Sequence, residues 1–288
     1  MSFLKIVVLA IVQGLAELLP VSSSAHVVVA EKLMGLDPST PAMTLLLVML
    51  HTGTMFAVIL YFWRRWRATY FSSMAQFKRT AVQVIIATAL TGVIGVALKM
   101  LIERTVFRGA PDAQIEDLFS HLELIAPALA VGGILILVAG LREGRVTRAA
   151  GASADLTTRQ ASLIGAIQGL CLPFRGFSRS GATISTGMLA GAVKARVEDF
   201  SFALAVVLTP AVDARELLRV VEGAQEGGTS ALTAIVVPSL VGALCAFLAG
   251  LVALKWLSGW LENGRWYLFG IYCLVAAAAV GGLYFAGY

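Results

Sequence analysis

Charge is what this sequence has least of. Asp, Glu, Lys and Arg make up 14% of its 288 residues, against about 25% in soluble domains. With 58% hydrophobic residues and a mean hydropathy of +0.85, too few polar side chains remain to coat a water-exposed surface. That excludes an ordinary soluble domain and makes a bilayer the natural solvent. Cysteine is equally sparse. Cys171, Cys245 and Cys273 stand in apolar surroundings with no CxxC or Cys/His spacing. This argues against a zinc module or a disulfide framework, and the three read as small buried hydrophobes. No nucleic-acid motif is present. The net charge of +5 collects in short basic segments of the kind that orient membrane proteins and touch anionic lipid. The N-terminal stretch has one lysine, Lys5, and no small-x-small cleavage site before its polar cluster, so it is expected to stay in the mature protein.

What is present is apolar length. Six segments, near 43–62, 81–101, 122–141, 200–219, 231–254 and 266–285, each approach the roughly 20 residues a crossing needs. Pro127, Pro210 and Pro238 fall within or near them, which membrane helices tolerate. Two further stretches, 3–30 and 160–193, are broken halfway by a Gly/Ser/Pro knot. Exposed turn backbone is excluded from lipid, so each reads as a re-entrant hairpin shielded by protein. Basic loops at 63–79 and 142–148, with Lys255 and Arg265 flanking a third, place those loops in the cytoplasm. The mixed 102–121 loop and the acidic 220–230 loop fall outside. The crossings alternate correctly only if both broken stretches re-enter. "AIVQGLAELLPVSSSAH" also echoes "AIQGLCLPFRGFSRSGAT", and three crossings follow each. Three is odd, so the second copy lies inverted. The expected fold is an all-α polytopic membrane protein: six transmembrane helices plus two re-entrant hairpins in an inverted-topology repeat. It forms one domain over 1–288, with repeats of about 1–145 and 157–288.

The knots carry the chemistry. Gln13 and Glu17 are four apart and share a helix face; Pro20 then ends that helix. Ser22, Ser23, Ser24 and His26 follow. An intramembrane carboxylate needs a partner or a wet cavity, and such residues are functional by default. A purely structural role for each serine stays open. In the second knot Arg179 is flanked by Ser178 and Ser180, with Gly176, Gly181 and Thr183 nearby. This segment can gather hydroxyls, N–H groups and a guanidinium around one anion at a helix start. The competing reading pairs Arg179 with a buried carboxylate such as Glu17. Elsewhere the readings are structural. His51 is expected to be a satisfied core histidine bonded to a neighbouring helix. Trp63 and Trp66 read as interfacial anchors. Lys194, Arg196, Glu198 and Asp199 read as a polar turn. Arg215 and Glu216 are expected at a solvated helix end.

"QGLAELLPVSSSAH" and "RGFSRSGATISTGMLAG" resemble the two signature segments of the undecaprenyl-diphosphate phosphatases of the bacitracin-resistance type. Gln13, Glu17, Ser22, Ser23 and His26 fall on the first signature; Gly176, Ser178, Arg179, Ser180 and Thr183 fall on the second. The similarity continues through "HTGTMFAVILYFWRRW" and "DFSFALAV". Arg175 departs from the pattern, standing where the family usually has proline. Gln13 is the neutral form of an acidic position. The resemblance implies a membrane phosphatase that converts the C55 isoprenyl diphosphate to its monophosphate for reuse in cell-wall synthesis. Resistance follows because bacitracin sequesters the diphosphate.

The resemblance further implies a divalent cation, Mg2+ or Ca2+, near Glu17 and Gln13, and a site in the bacterial cytoplasmic membrane open to the periplasm. Arg179, Ser178, Ser180 and Thr183, with Ser22 and Gly176 beside them, would hold the diphosphate. Either Ser23 attacks with His26 as base, or His26 or Glu17 activates water. The expected partners are the long-chain isoprenyl diphosphate and the bilayer, no nucleic acid, with a homodimer left open. The rival function is a polyprenyl-phosphate carrier or flippase.

Overall fold

A computed structural model describes residues 2–37, 40–106, 121–149, 155–224, 228–262 and 264–287. Most of the expected outer loop 102–121 and part of the loop 220–230 lie outside the described residues, as do the side chains of Arg215 and Glu216. The described residues form ten helices and no strand. An all-helical chain follows from the apolar solvent, in which a helix satisfies its own backbone polar groups.

Both broken stretches are helix pairs. α1 (Phe3–Leu18) and α2 (Ser23–Leu33) form the first; α6 (Thr158–Cys171) and α7 (Arg179–Leu189) form the second. Six long helices complete the chain: α3 (Pro41–Tyr70), α4 (Met74–Val106), α5 (Leu122–Ala149), α8 (Lys194–Ala224), α9 (Gly228–Glu262) and α10 (Trp266–Phe285). Pro127, Pro210 and Pro238 sit inside helices. Five of the long helices are apolar enough over their described residues to cross a membrane; α8 is the exception. Its sequence carries charge at both ends, so the stretch free of charge runs only from Phe200 to Val212. With several apolar spans, the chain is a multi-pass membrane protein.

The helices exchange partners between the two halves. α1 packs on α9, and α6 packs on α4. Glycines at matching positions allow both approaches. A methyl group on Gly14 would lie 2.7 Å from the Ala246 carbonyl oxygen, and one on Gly169 would lie 2.8 Å from that of Thr91. Without a hydrophobic driving force between helices in lipid, such close backbone packing holds the bundle. Among the long helices α5 pairs with α10 and α3 with α9, and α3 also meets α8.

Three expectations change on folding. The basic 63–79 segment is not a loop but the ends of α3 and α4, joined at residues 71–73. Trp66 is not an interfacial anchor: it is 6% exposed, stacks on Phe62 and donates its indole N–H to the Asp199 carbonyl at 3.1 Å. Trp63 stays exposed. The polar "turn" at 194–199 is the first turn of α8. There Arg65 pairs with Asp199 at 3.0 Å and Glu198 at 3.7 Å, and Lys194 with Glu143 at 2.7 Å. Burial explains the change, because carboxylates so enclosed hold their place only with a cation at hand. The cysteines are free, with Cys171 and Cys273 buried.

Candidate active site

The two hairpins meet at their breaks. α1 ends at Leu18, just past Glu17, and its chain reverses through Pro20 into α2. Ser22 makes that reversal with a φ of 69°, the left-handed region for a residue with a side chain. In the second hairpin the reversal falls to Gly176, at φ 102°. A methyl there would lie 2.5 Å from the Ile125 carbonyl oxygen, so both conformation and space require glycine. Ser178 caps α7 by accepting the Gly181 N–H at 3.1 Å. Arg179 is therefore the first residue of α7, beside the partial positive charge of its N-terminus.

A chain of short polar contacts joins the hairpins. Arg179 Nη2 donates to Glu17 Oε1 at 2.8 Å. Ser23 Oγ donates to Glu17 Oε2 at 2.5 Å, and Gln13 Nε2 donates to the same oxygen at 3.1 Å. Arg179 Nη1 and Gln13 Oε1 are buried without hydrogen-bond partners. A buried donor left unmade costs about 1–3 kcal/mol, so the site stores unmet capacity for an incoming ligand. Glu17, His51 and Arg179, with Thr54 and Thr209, supply the polar wall of an open cleft. Its remaining wall is largely apolar, including Met55, Val58, Phe202 and Val206. A cation, a carboxylate that holds a serine hydroxyl and an apolar flank suit an anionic headgroup on a lipid tail.

Glu17, Ser23, Arg179 and Gln13 thus come together. The other expected residues stand around them with their own partners. Ser180, 3% exposed, donates to the Leu19 carbonyl at 3.4 Å. Thr183 lies 2.7 Å from the Arg179 carbonyl and 2.6 Å from the Ser201 hydroxyl. With Ser178 in its cap, these three hydroxyls fix the α7 start and its packing. Ser22 Oγ lies 3.3 Å from Ser24 Oγ. His26 is not within hydrogen-bond reach of Ser23 or Glu17. Its Nδ1 lies 2.7 Å from the Ser22 carbonyl, and its Nε2 lies 2.7 Å from the Tyr272 hydroxyl of α10, on which the ring stacks at 12°.

His51 departs from its expected place. Its Nδ1 bonds its own helix at the Leu47 carbonyl, 2.9 Å away, and its side chain, 42% exposed, borders the cleft 3.7 Å from Glu17. The missed signal was its position ten residues inside an apolar helix, where an ionisable residue is functional by default. Tyr272 had no such signal, because a tyrosine in an apolar helix is ordinary. Beside His51, Thr52 donates to Asp213 of α8 at 3.1 Å. Arg175 does not border the cleft; it interacts electrostatically with Glu31 of α2, which is 1% exposed.

The donor set admits a hard cation. Glu17 offers a carboxylate, and Gln13 Oε1 is a buried acceptor with no partner. Among the described residues no group of three His, Cys, Asp or Glu side chains forms a self-contained cage. Two protein oxygens completed by phosphate oxygens and water match how Mg2+ is held at phosphate sites.

Fold and site together define a class: a polytopic helical membrane protein with an arginine–carboxylate–serine centre where two broken helices meet. The family described as Bacitracin resistance protein BacA matches residues 6–279, and the chain belongs to that family. It is 56% identical over 283 residues, 97% of each chain, to Undecaprenyl-diphosphatase 2 of Acinetobacter baylyi. It is 32% identical over 280 residues, again 97% of each, to Undecaprenyl-diphosphatase of Rhodopirellula baltica.

Proposed function

We propose that this chain is a membrane phosphatase that hydrolyses undecaprenyl diphosphate to undecaprenyl phosphate and inorganic phosphate, so recycling the lipid carrier and conferring bacitracin resistance. Family and relatives support that activity. The observation that ties it to these atoms is the contact chain Arg179–Glu17–Ser23 across the two hairpins. In our reading Ser23 is the nucleophile and Glu17 its base. Glu17 takes the Ser23 proton, Ser23 Oγ bonds to the terminal phosphorus, and the bond from that phosphorus to the bridging oxygen breaks. Undecaprenyl phosphate leaves, and water then cleaves the phosphoserine. Arg179 exchanges part of its bond to Glu17 for phosphate oxygens, a planar fork suited to that geometry. Phosphoryl transfer needs mainly such placement and charge stabilisation. His26, held between Ser22 and Tyr272, orders the α2 start rather than taking the proton.

A divalent cation, held by Glu17 and Gln13, would neutralise charge on the diphosphate when bound. For topology, we read α1–α2 and α6–α7 as hairpins re-entering from opposite faces. The six long helices cross between them, in inverted repeats of about 1–145 and 157–288. The exchanged α1–α9 and α6–α4 packing supports this reading. The basic ends of α3 and α4 mark the cytoplasmic face of the inner membrane, and the cleft opens to the periplasmic side. Phosphate release from undecaprenyl diphosphate by purified protein, with and without chelator, tests the assignment. Lipid translocation in liposomes without phosphate release would replace it with the carrier reading.

A further inference from the structure

His51 is outside both hairpins, yet its ring is presented to Glu17 in an informative way. The Leu47 carbonyl at 2.9 Å requires a proton on Nδ1, which leaves the lone pair of the neutral ring on Nε2. In the neutral ring Nε2 is an acceptor that faces Glu17 Oε2 across 3.7 Å, beyond hydrogen-bond range. Gln13 Oε1, an amide oxygen beside the same carboxylate, is a third acceptor without a donor. Asp213, held by Thr52 one residue along α3, adds a further negative group nearby. Glu17 Oε2, which also takes the Ser23 and Gln13 donors, and Nε2 thus bound one gap, and the ring shows the arrangement usual for metal-bound imidazole, in which the second nitrogen donates to a backbone carbonyl. The span is close to that of a shared ion. Two ligands each about 2.1 Å from one ion lie about 3.4–3.6 Å apart at tetrahedral to trigonal angles and about 3.0 Å apart at an octahedral right angle, so the gap closes by a few tenths of an ångström on binding.

The geometry points to His51 Nε2 as a nitrogen ligand, with Glu17, of the divalent cation that accompanies the diphosphate; this rests on the cation reading above. An imidazole donor shifts preference from the oxygen-seeking Ca2+ towards transition metals, Zn2+ most and Mn2+ least. His51 thereby sets which metal serves the site.

Mn2+ is both probe and candidate ligand. The experiment adds Mn2+ and methylenediphosphonate to the detergent-purified full chain and records electron spin echo envelope modulation. Nitrogen-14 modulation from a coordinated imidazole is expected in the wild type and in His26→Gln, and its loss in His51→Gln. The apparent Kd for Mn2+ should rise at least about tenfold in His51→Gln, while that for Ca2+ changes less than about threefold. Should His51→Gln not fold, nitrogen-15 labelling of histidine in His26→Gln gives the answer, because the modulation must move to the nitrogen-15 frequency with His51 the histidine left at the cleft. Mn2+ bound in a manner abolished by Glu17→Gln but without imidazole modulation overturns the His51 ligand and leaves the cation reading intact. Modulation that survives His51→Gln also overturns it. Absence of any Glu17-dependent Mn2+ overturns both.

Discussion

Gln13 in the first hairpin turns its amide N–H towards Glu17, whereas Gln168, at the matching place in the second, donates to Thr91 of α4 at 3.3 Å. Both are followed by a glycine that seats its helix on a long neighbour. Four residues on, the copies part: the first has Glu17, the second Leu172, whose side chain instead packs near Gly95. One scaffold thus serves two ends. The first hairpin presents Glu17 to the cleft and holds it from behind with Ser23 and Gln13. The second spends Ser178, Ser180 and Thr183 on holding α7 in place and presents one cation, Arg179. A site split this way forms only when both hairpins are seated, which keeps the buried carboxylate neutralised before substrate arrives.

The largest expected effect separates the serines. Ser23→Ala should lower phosphate release at least about 10³-fold, as loss of a nucleophile does. Ser180→Ala, removing a hydroxyl bonded to the Leu19 carbonyl, should cost less than about tenfold. Equal losses in the two variants would erase the division between hairpins. Next, Arg179→Ala should reduce turnover about 10²–10³-fold, with Arg179→Lys in between because a point charge lacks the fork. Because Arg179 and Glu17 touch at 2.8 Å, a cycle with Glu17→Gln should be strongly non-additive; additive losses would mean that the contact has no part in turnover.

The two glutamines sharpen the contrast further. Gln13→Ala should raise the cation concentration needed for half-maximal turnover by about tenfold. Gln168→Ala should leave that requirement unchanged and cost about 1–2 kcal/mol of stability, read as thermal unfolding in detergent. The smallest effects lie in the reversals. Gly176→Ala should destabilise by more than about 1 kcal/mol, through its positive φ and the Ile125 carbonyl. Ser22→Gly should relieve a strained φ and raise the unfolding temperature slightly. A lower temperature would show that the Ser22 side chain contributes more than its backbone costs.

Much of this was legible from residue order. The two knots, five of the six expected apolar crossings, the prolines within the long helices and the pairing of Glu17 with Arg179 as one of two options all follow from hydropathy and from the expense of charge in lipid. The misread segments share a cause. At Trp66, at Asp199 and at 63–79, the chain stays helical past the last apolar residue, because partners on other helices bury what local pattern assigns to the interface. His51 was misread because its neighbours along α3 are apolar, while the groups that give it meaning come from α1 and α8.

The sequence by itself determined the solvent, the helical class and which residue types would handle an anion, since all three depend on composition and spacing along one chain. Only the tertiary structure decided which of those residues stand together. Ser23 rather than His26 reaches Glu17, Arg179 alone represents the second hairpin at the cleft, and His51 joins them from α3. Such choices are set by angles and distances between residues 6 to 162 positions apart in the chain, and direction across those gaps is fixed by packing, which no local pattern encodes.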